Sequence, residues 1–137
     1  MILTPKKLKK MVELAASRPG HGKHRLYAEI WRDGERLSFG WNNGKQCDLL
    51  TRFKEGNPLK TGTCAEAEAI VQALGKHKTV RGATVVVVRA KKKRRGGEWV
   101  PGYSRPCMAC RWLMRDFSLA EFVYVAESED GFAREEA

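Results

Sequence analysis

A three-layer α/β/α sandwich built on one mixed sheet is the fold this sequence predicts, on three observations. Hydrophobic spacing along the chain reads in the order α-β-β-α-β-α-β. One segment, "ATVVVV" at 83–88, is apolar without interruption, as a strand covered on both faces must be. After an opening hairpin the chain takes two strand–helix–strand steps, which place helices against the faces of a sheet.

The elements follow in order. Thr4-Pro5 reads as an N-cap followed by proline at the first helical position. Leu8, Met11, Val12 and Ala15 then keep helical spacing, so a first helix spans about 5–18 and stops at Pro19-Gly20. "HRLYAEIW" (24–31) and "RLSFGWN" (36–42) are strand-like and joined by the turn signal "RDGE". A polar, glycine-containing loop over 43–62 leads to a second helix over about 64–74, with Ala67, Ile70, Val71 and Leu74 on one face and Gly75 as its stop. The apolar strand at 83–90 is followed by a basic, glycine-rich loop at 91–106. A third helix covers about 107–116, with Cys110, Leu113, Met114 and Phe117 in phase, and "EFVYVAE" (121–127) is the last strand.

A chain of 137 residues suits one domain with a core that needs no disulfide staples. The expected division is a single domain over 1–127 and an acidic, flexible tail over 128–137. No apolar run is long enough to span a bilayer, and "MILTPKKLKK" lacks the apolar centre of a secretory signal, so the expectation is a cytoplasmic protein with no membrane partner. Four cysteines in such a chain point to metal or catalysis rather than to a disulfide framework. The net charge is +10, and residues 121–137 carry six acids against one arginine, which leaves +15 on the rest. Such a body attracts polyanions and phosphorylated small molecules. The acidic end reads either as a solvated terminus or as an internal mimic of an anion.

Chemistry concentrates in two short stretches, "TCAEAEAI" (63–70) and "SRPCMACRWLM" (104–114). Cys107 and Cys110 are three apart in a first helical turn, so both sulfurs can face one way, and Cys64 begins the other helix. Helices that both follow a strand-to-loop crossing start at one end of the sheet, and their exposed N–H groups favour thiolate there. Three thiolates make a zinc site with a fourth position left for water, whose pKa the metal lowers. Glu66 is too close to Cys64 to be a natural fourth ligand and well placed to handle protons. Two plainer readings stand beside this one. Cys47 can join the other three in a closed structural zinc site, and Glu66 can be an ordinary helix-start acid favoured by the dipole.

"CAEAEAI" together with "PCMACRWLMRDF" resembles the cytidine deaminase superfamily. C-A-E and P-C-x-x-C-R are most similar to the motifs of free cytidine deaminases. "HRLYAEIWRDGERLSFGWN" and the long loop after it look more like small phage-encoded deaminases of the deoxycytidylate type. The resemblance covers roughly 22–125 and implies a cytidine deaminase-like fold, Zn2+ held by Cys64, Cys107 and Cys110, and Glu66 as proton shuttle. It implies hydrolytic conversion of cytosine to uracil, with hydroxide attacking C4 and ammonia leaving. Substrates to expect are a free pyrimidine nucleoside or nucleotide, deoxycytidylate first. The alternatives are a base within single-stranded DNA or RNA (cytosine, or adenine in tRNA), and a non-catalytic zinc-stabilised nucleic-acid-binding module. The resembled families commonly assemble with neighbours completing the pocket, so a homo-oligomer is expected too.

The substrate contacts expected are Asn42, Ala65, Trp99, Arg105 and Pro106. Asn42 stands where the resembled families place a sugar-binding Asn, although "FGWNNG" departs from their N-x-E, and Asn-Asn-Gly is also ordinary turn chemistry. Six of residues 89–95 are basic, and Trp99 and Tyr103 follow, a mixture that suits a phosphate with a stacked base and equally a solvated charge run. Arg105, nearest the cysteine pair, is the expected partner of a 5′-phosphate.

Overall fold

The computed structural model describes residues 3–18, 25–44, 64–92, 94, 96–126 and 131–137. Expectations that fall on the other positions lie outside the described residues; these include the helix stop at Pro19-Gly20, the loop with Cys47, His24 at the start of the first strand segment, Lys93, Arg95 and residues 127–130.

Helix α1 spans Pro5–Ala16. Strands β1 (Arg25–Arg32) and β2 (Glu35–Trp41) form the first hairpin. Helix α2 (Ala65–Lys76) leads to strand β3 (Thr84–Lys92), which turns into the short strand β4 (Trp99–Gly102). Helix α3 (Met108–Asp116) and strands β5 (Glu121–Val125) and β6 (Phe132–Glu136) complete the order. The six strands form one sheet in the order β2-β1-β3-β5-β6, with β4 paired to β3. β3 and β5 are parallel and the other pairs antiparallel, so the sheet is mixed as expected.

Local chemistry explains the early elements. Thr4 Oγ1 accepts from the Lys7 N–H at 3.1 Å and Pro5 opens α1, the cap pattern read from the sequence. Asp33 and Gly34 both have positive φ (52° and 76°), as a two-residue turn that matches strand twist requires. Along β3, Val85 and Val87 pack under α2 and α3, while Val86, Val88 and Ala90 pack under α1. One strand thus serves two cores, which explains its unbroken apolar run and gives the three layers.

Three expectations need correction. The basic loop at 91–106 is in part a hairpin: β3 runs on to Lys92, and Arg89–Lys92 pair with Trp99–Gly102. Residues 132–136, expected within a flexible tail, form an antiparallel strand with β5, from Val125↔Phe132 to Glu121↔Glu136. Gly75 does not stop α2; the helix includes it and ends at Lys76, where the His77 N–H donates to Ala73 O at 2.8 Å.

Candidate metal and substrate site

The site forms where the carboxyl ends of β3 and β5 meet the amino ends of α2 and α3. β3 and β5 pair only over Thr84–Val86 and Glu121–Val123, then diverge. Ser104 fills the gap. Its hydroxyl donates to Val87 O at 2.9 Å and accepts from the Val125 N–H at 2.8 Å, and its own N–H donates to Val125 O at 3.1 Å. The chain leaves this buried anchor through Arg105 and the buried Pro106 into Cys107. On the other side, β2 sets α2. Ser38 Oγ donates to Ala69 O at 2.6 Å, and a Cβ on Gly40 would lie 2.9 Å from the Ala69 amide nitrogen, so only glycine lets helix and strand meet this closely.

These two anchors bring the cysteines together. Cys64 and Cys107 occupy the N-cap positions of α2 and α3, both with extended backbone, and neither side chain caps its own helix. Instead the three sulfurs of Cys64, Cys107 and Cys110 lie within 4.8 Å of one another. Cys110 is fully buried and the other two are partly covered. Hydrogen bonding to Cys107, ahead of burial, pushes the Cys64 and Cys110 thiols above their ordinary value, and the Glu66 charge adds to this. Thiols that resist ionisation alone and stand this close suit a soft divalent cation, which reverses that balance by coordinating thiolate. The donor set fits Zn2+: three sulfurs from two helix starts, one fewer than the four ligands of a closed tetrahedral site. Glu66 is only 3% exposed and lies in the first turn of α2.

The expected substrate contacts divide. Ala65 and Pro106, beside the ligands in sequence, are buried with them. Asn42 follows Ser38 and Gly40 on the strand face turned to α2, toward that helix's amino end. Its Oδ1 accepts from the Leu26 N–H at 3.0 Å, so part of its work is to pin the start of β1. Trp99 is not with this group. It packs in the α1 core, with the Arg25 guanidinium 4.7 Å and the Lys92 ammonium 5.1 Å from its ring, and the sheet separates it from the cysteines. Arg105 reaches β6: Nε and Nη2 donate to the two Glu135 carboxylate oxygens at 2.7 and 2.8 Å. Tyr124 adds its hydroxyl to Glu135 Oε2 at 2.7 Å. The Arg105 guanidinium holds the Glu135 carboxyl down at about 2. Of the residues that sequence reasoning missed, Ser104 and Glu135 carry no local signal. Arg89, part of the basic run 89–95 singled out in the sequence, continues the alternate positions 85 and 87 on β3.

The sequence matches the cytidine and deoxycytidylate deaminase zinc-binding region over residues 4–126, and the chain belongs to that family. No curated protein sequence matches it. Among solved structures it is similar to cytidine deaminase from Burkholderia pseudomallei, with TM-score 0.62 and 20% identity over 98% of this chain and 93% of that one. It is also similar to dCMP deaminase from the cyanophage S-TIM5, with TM-score 0.58 and 16% identity over 93% of this chain and 88% of that one. These likenesses show that the fold is cytidine deaminase-like. No described helix is long and apolar enough to cross a membrane.

Proposed function

We propose that the protein is a zinc-dependent hydrolytic deaminase that converts cytosine to uracil in a free nucleoside or nucleotide, with deoxycytidylate the first candidate. The observation that carries the reading is the three-sulfur cluster at two helix starts with the buried Glu66 carboxylate in the first turn beside it. Zinc bound there supplies the Lewis acidity that lets water act as a nucleophile near neutral pH. The chain's own residues do the rest. The amino ends of α2 and α3 stabilise the thiolates. Glu66 takes a proton from the attacking water and delivers it to ring N3, then carries the second proton from the new C4 hydroxyl to the amino group, so that the C4–N bond breaks and ammonia departs. Burial keeps that carboxylate away from bulk solvent, so protons pass between water and substrate rather than leak away.

A second reading, the same chemistry on a base within single-stranded DNA or RNA, draws support from the net charge of +10. The described part of the basic run speaks for the small substrate, because its side chains do not form one track. Arg89 takes the α2–α3 side of the sheet by alternation, whereas Lys92 lies over Trp99 on the α1 side. The test is ammonia release by zinc-loaded protein from cytidine, deoxycytidine, their monophosphates, and single-stranded DNA and RNA. Turnover of a monomer is the expected result. Turnover confined to polymer would replace this reading with the second.

A further inference from the structure

We propose that Arg89 recognises a phosphate on the substrate's sugar, and that Glu135 withholds Arg105 from that task. The proposal deepens the deaminase reading, on which it rests, by naming the substrate class as a cytosine nucleoside monophosphate.

Placement comes first. The register of β3 is regular against β1 up to Ala90 and against β4 from Arg89 onward. Val85 and Val87 face α2 and α3, so Arg89 projects to that same side, one step further toward the carboxyl end of the strand. Val87 O receives the Ser104 hydroxyl, three residues before Cys107, so Arg89 stands beside the segment that delivers the cysteine pair. Its register partner on β1 is Leu26, whose N–H is held by Asn42. On β4 its partner is Gly102. A Cβ there would lie 3.4 Å from Arg89 Cδ and 3.2 Å from Lys91 Cδ, so the missing side chain makes room for the arginine stem.

The two arginines differ in how they are satisfied. Arg105 has a bidentate carboxylate partner supplied by its own chain. A phosphate reaching Arg105 would have to displace a carboxylate fixed by both the guanidinium and the Tyr124 hydroxyl. Arg89 has a buried Nε with no hydrogen-bond partner, and no carboxylate pairs with it among the described residues. A buried donor left unmade is costly, and a guanidinium fork matches two phosphate oxygens at once. Arg89 as a whole is half-buried, so a phosphate meets its guanidinium as a charge that no described carboxylate neutralises, at the end of the sheet where the cysteines meet.

Calorimetric titration with deoxyuridine and deoxyuridine monophosphate tests this on zinc-loaded protein, because neither product-type ligand is consumed. Charge-assisted hydrogen bonds contribute about 1.5–3 kcal/mol, so Arg89→Gln should weaken the monophosphate about 10- to 100-fold. Deoxyuridine binding should not change, Arg89→Lys should fall between, and Arg105→Gln should leave the ratio of the two affinities as it was. Zinc content and melting temperature are measured on each variant to confirm the fold. A wild-type protein with no preference for the monophosphate overturns the proposal. So does an Arg89→Gln effect that is equal on both ligands, or a preference lost in Arg105→Gln. Phosphate preference through Arg89 without ammonia release from any cytosine substrate would overturn the deaminase reading alone.

Discussion

The two faces of the sheet each bury a cluster of ionisable groups, and they treat them in opposite ways. On the α1 face Glu29 is fully buried and saturated. Its carboxylate accepts from the Tyr27 hydroxyl at 2.6 Å and the Trp31 indole at 2.9 Å, and pairs with Lys7 at 3.0 Å and Arg36 at 3.3 Å. Burial alone would raise its pKa, but the hydrogen bonds from Tyr27, Trp31 and Lys7 together outweigh it and hold the value below the ordinary 4.5. Every partner comes from α1, β1 or β2, so the cluster fastens helix to sheet. On the α2–α3 face the three thiols bond one another, the Cys64 and Cys110 thiols are raised in pKa, and Arg89 on that face has a buried Nε without a hydrogen-bond partner. The difference separates a structural polar cluster, closed by the chain itself, from one whose cysteines suit a metal and whose Arg89, as proposed above, takes a ligand.

Breaking the open cluster should have the largest effect. Cys110→Ala removes a buried ligand from a three-sulfur set. Loss of supporting groups around a metal costs 10- to 100-fold, so loss of a ligand should cut both zinc affinity and turnover by more than about 100-fold. Metal content after dialysis and steady-state rates read this directly. The closed cluster should answer with stability instead. Glu29→Ala leaves the Tyr27 hydroxyl and Trp31 N–H without their acceptor and should lower folding stability by about 2 kcal/mol, with kcat of the folded fraction unchanged. Its pH dependence has a fixed sign. The folded pKa lies below 4.5, so the stabilisation is complete above that value and is lost as pH falls through the folded pKa. Acid unfolding monitored by circular dichroism should be shallower in Glu29→Gln than in the wild type.

Gly40→Ala links the faces to the site by a smaller step. The new methyl would meet Glu68 Cγ at 2.8 Å and the Ala69 nitrogen at 2.9 Å. The side chain can move but the helix backbone cannot do so freely, so a cost of about 1–3 kcal/mol and weaker zinc binding through displaced Cys64 are expected. Chelator competition against a colorimetric zinc indicator would detect the second effect. Trp99→Ala should do least to catalysis. Its ring belongs to the α1 core, so kcat/KM for any substrate should stay within about twofold of wild type while the melting temperature falls. A selective loss of substrate affinity would instead return Trp99 to the pocket.

The candidate metal site was more legible in the sequence than the substrate pocket, for a physical reason. Cys64, Glu66, Cys107 and Cys110 lie at the starts of two helices, and helix starts have local signatures of cap and spacing. The central strand was legible because both faces of β3 are buried. β4 and β6 were not. "WVPG" contains a proline and a glycine, and "FAREE" is largely charged, so pairing with a neighbour makes them strands where composition does not. The misplacement of Trp99 follows from this, since a residue's face is known only when its register is known. Arg105 looked open because its partner, Glu135, lies 30 residues away in the chain.

The central claim is that the α2–α3 face holds a reacting site in which Glu66 moves protons and the cysteines hold metal. The most direct test measures zinc stoichiometry and ammonia release on the same samples of wild-type protein and Glu66→Ala, with deoxycytidine and deoxycytidylate as substrates. The account predicts equal zinc in both proteins and turnover about 10²- to 10⁴-fold lower in the variant. Near-wild-type turnover by Glu66→Ala would contradict it.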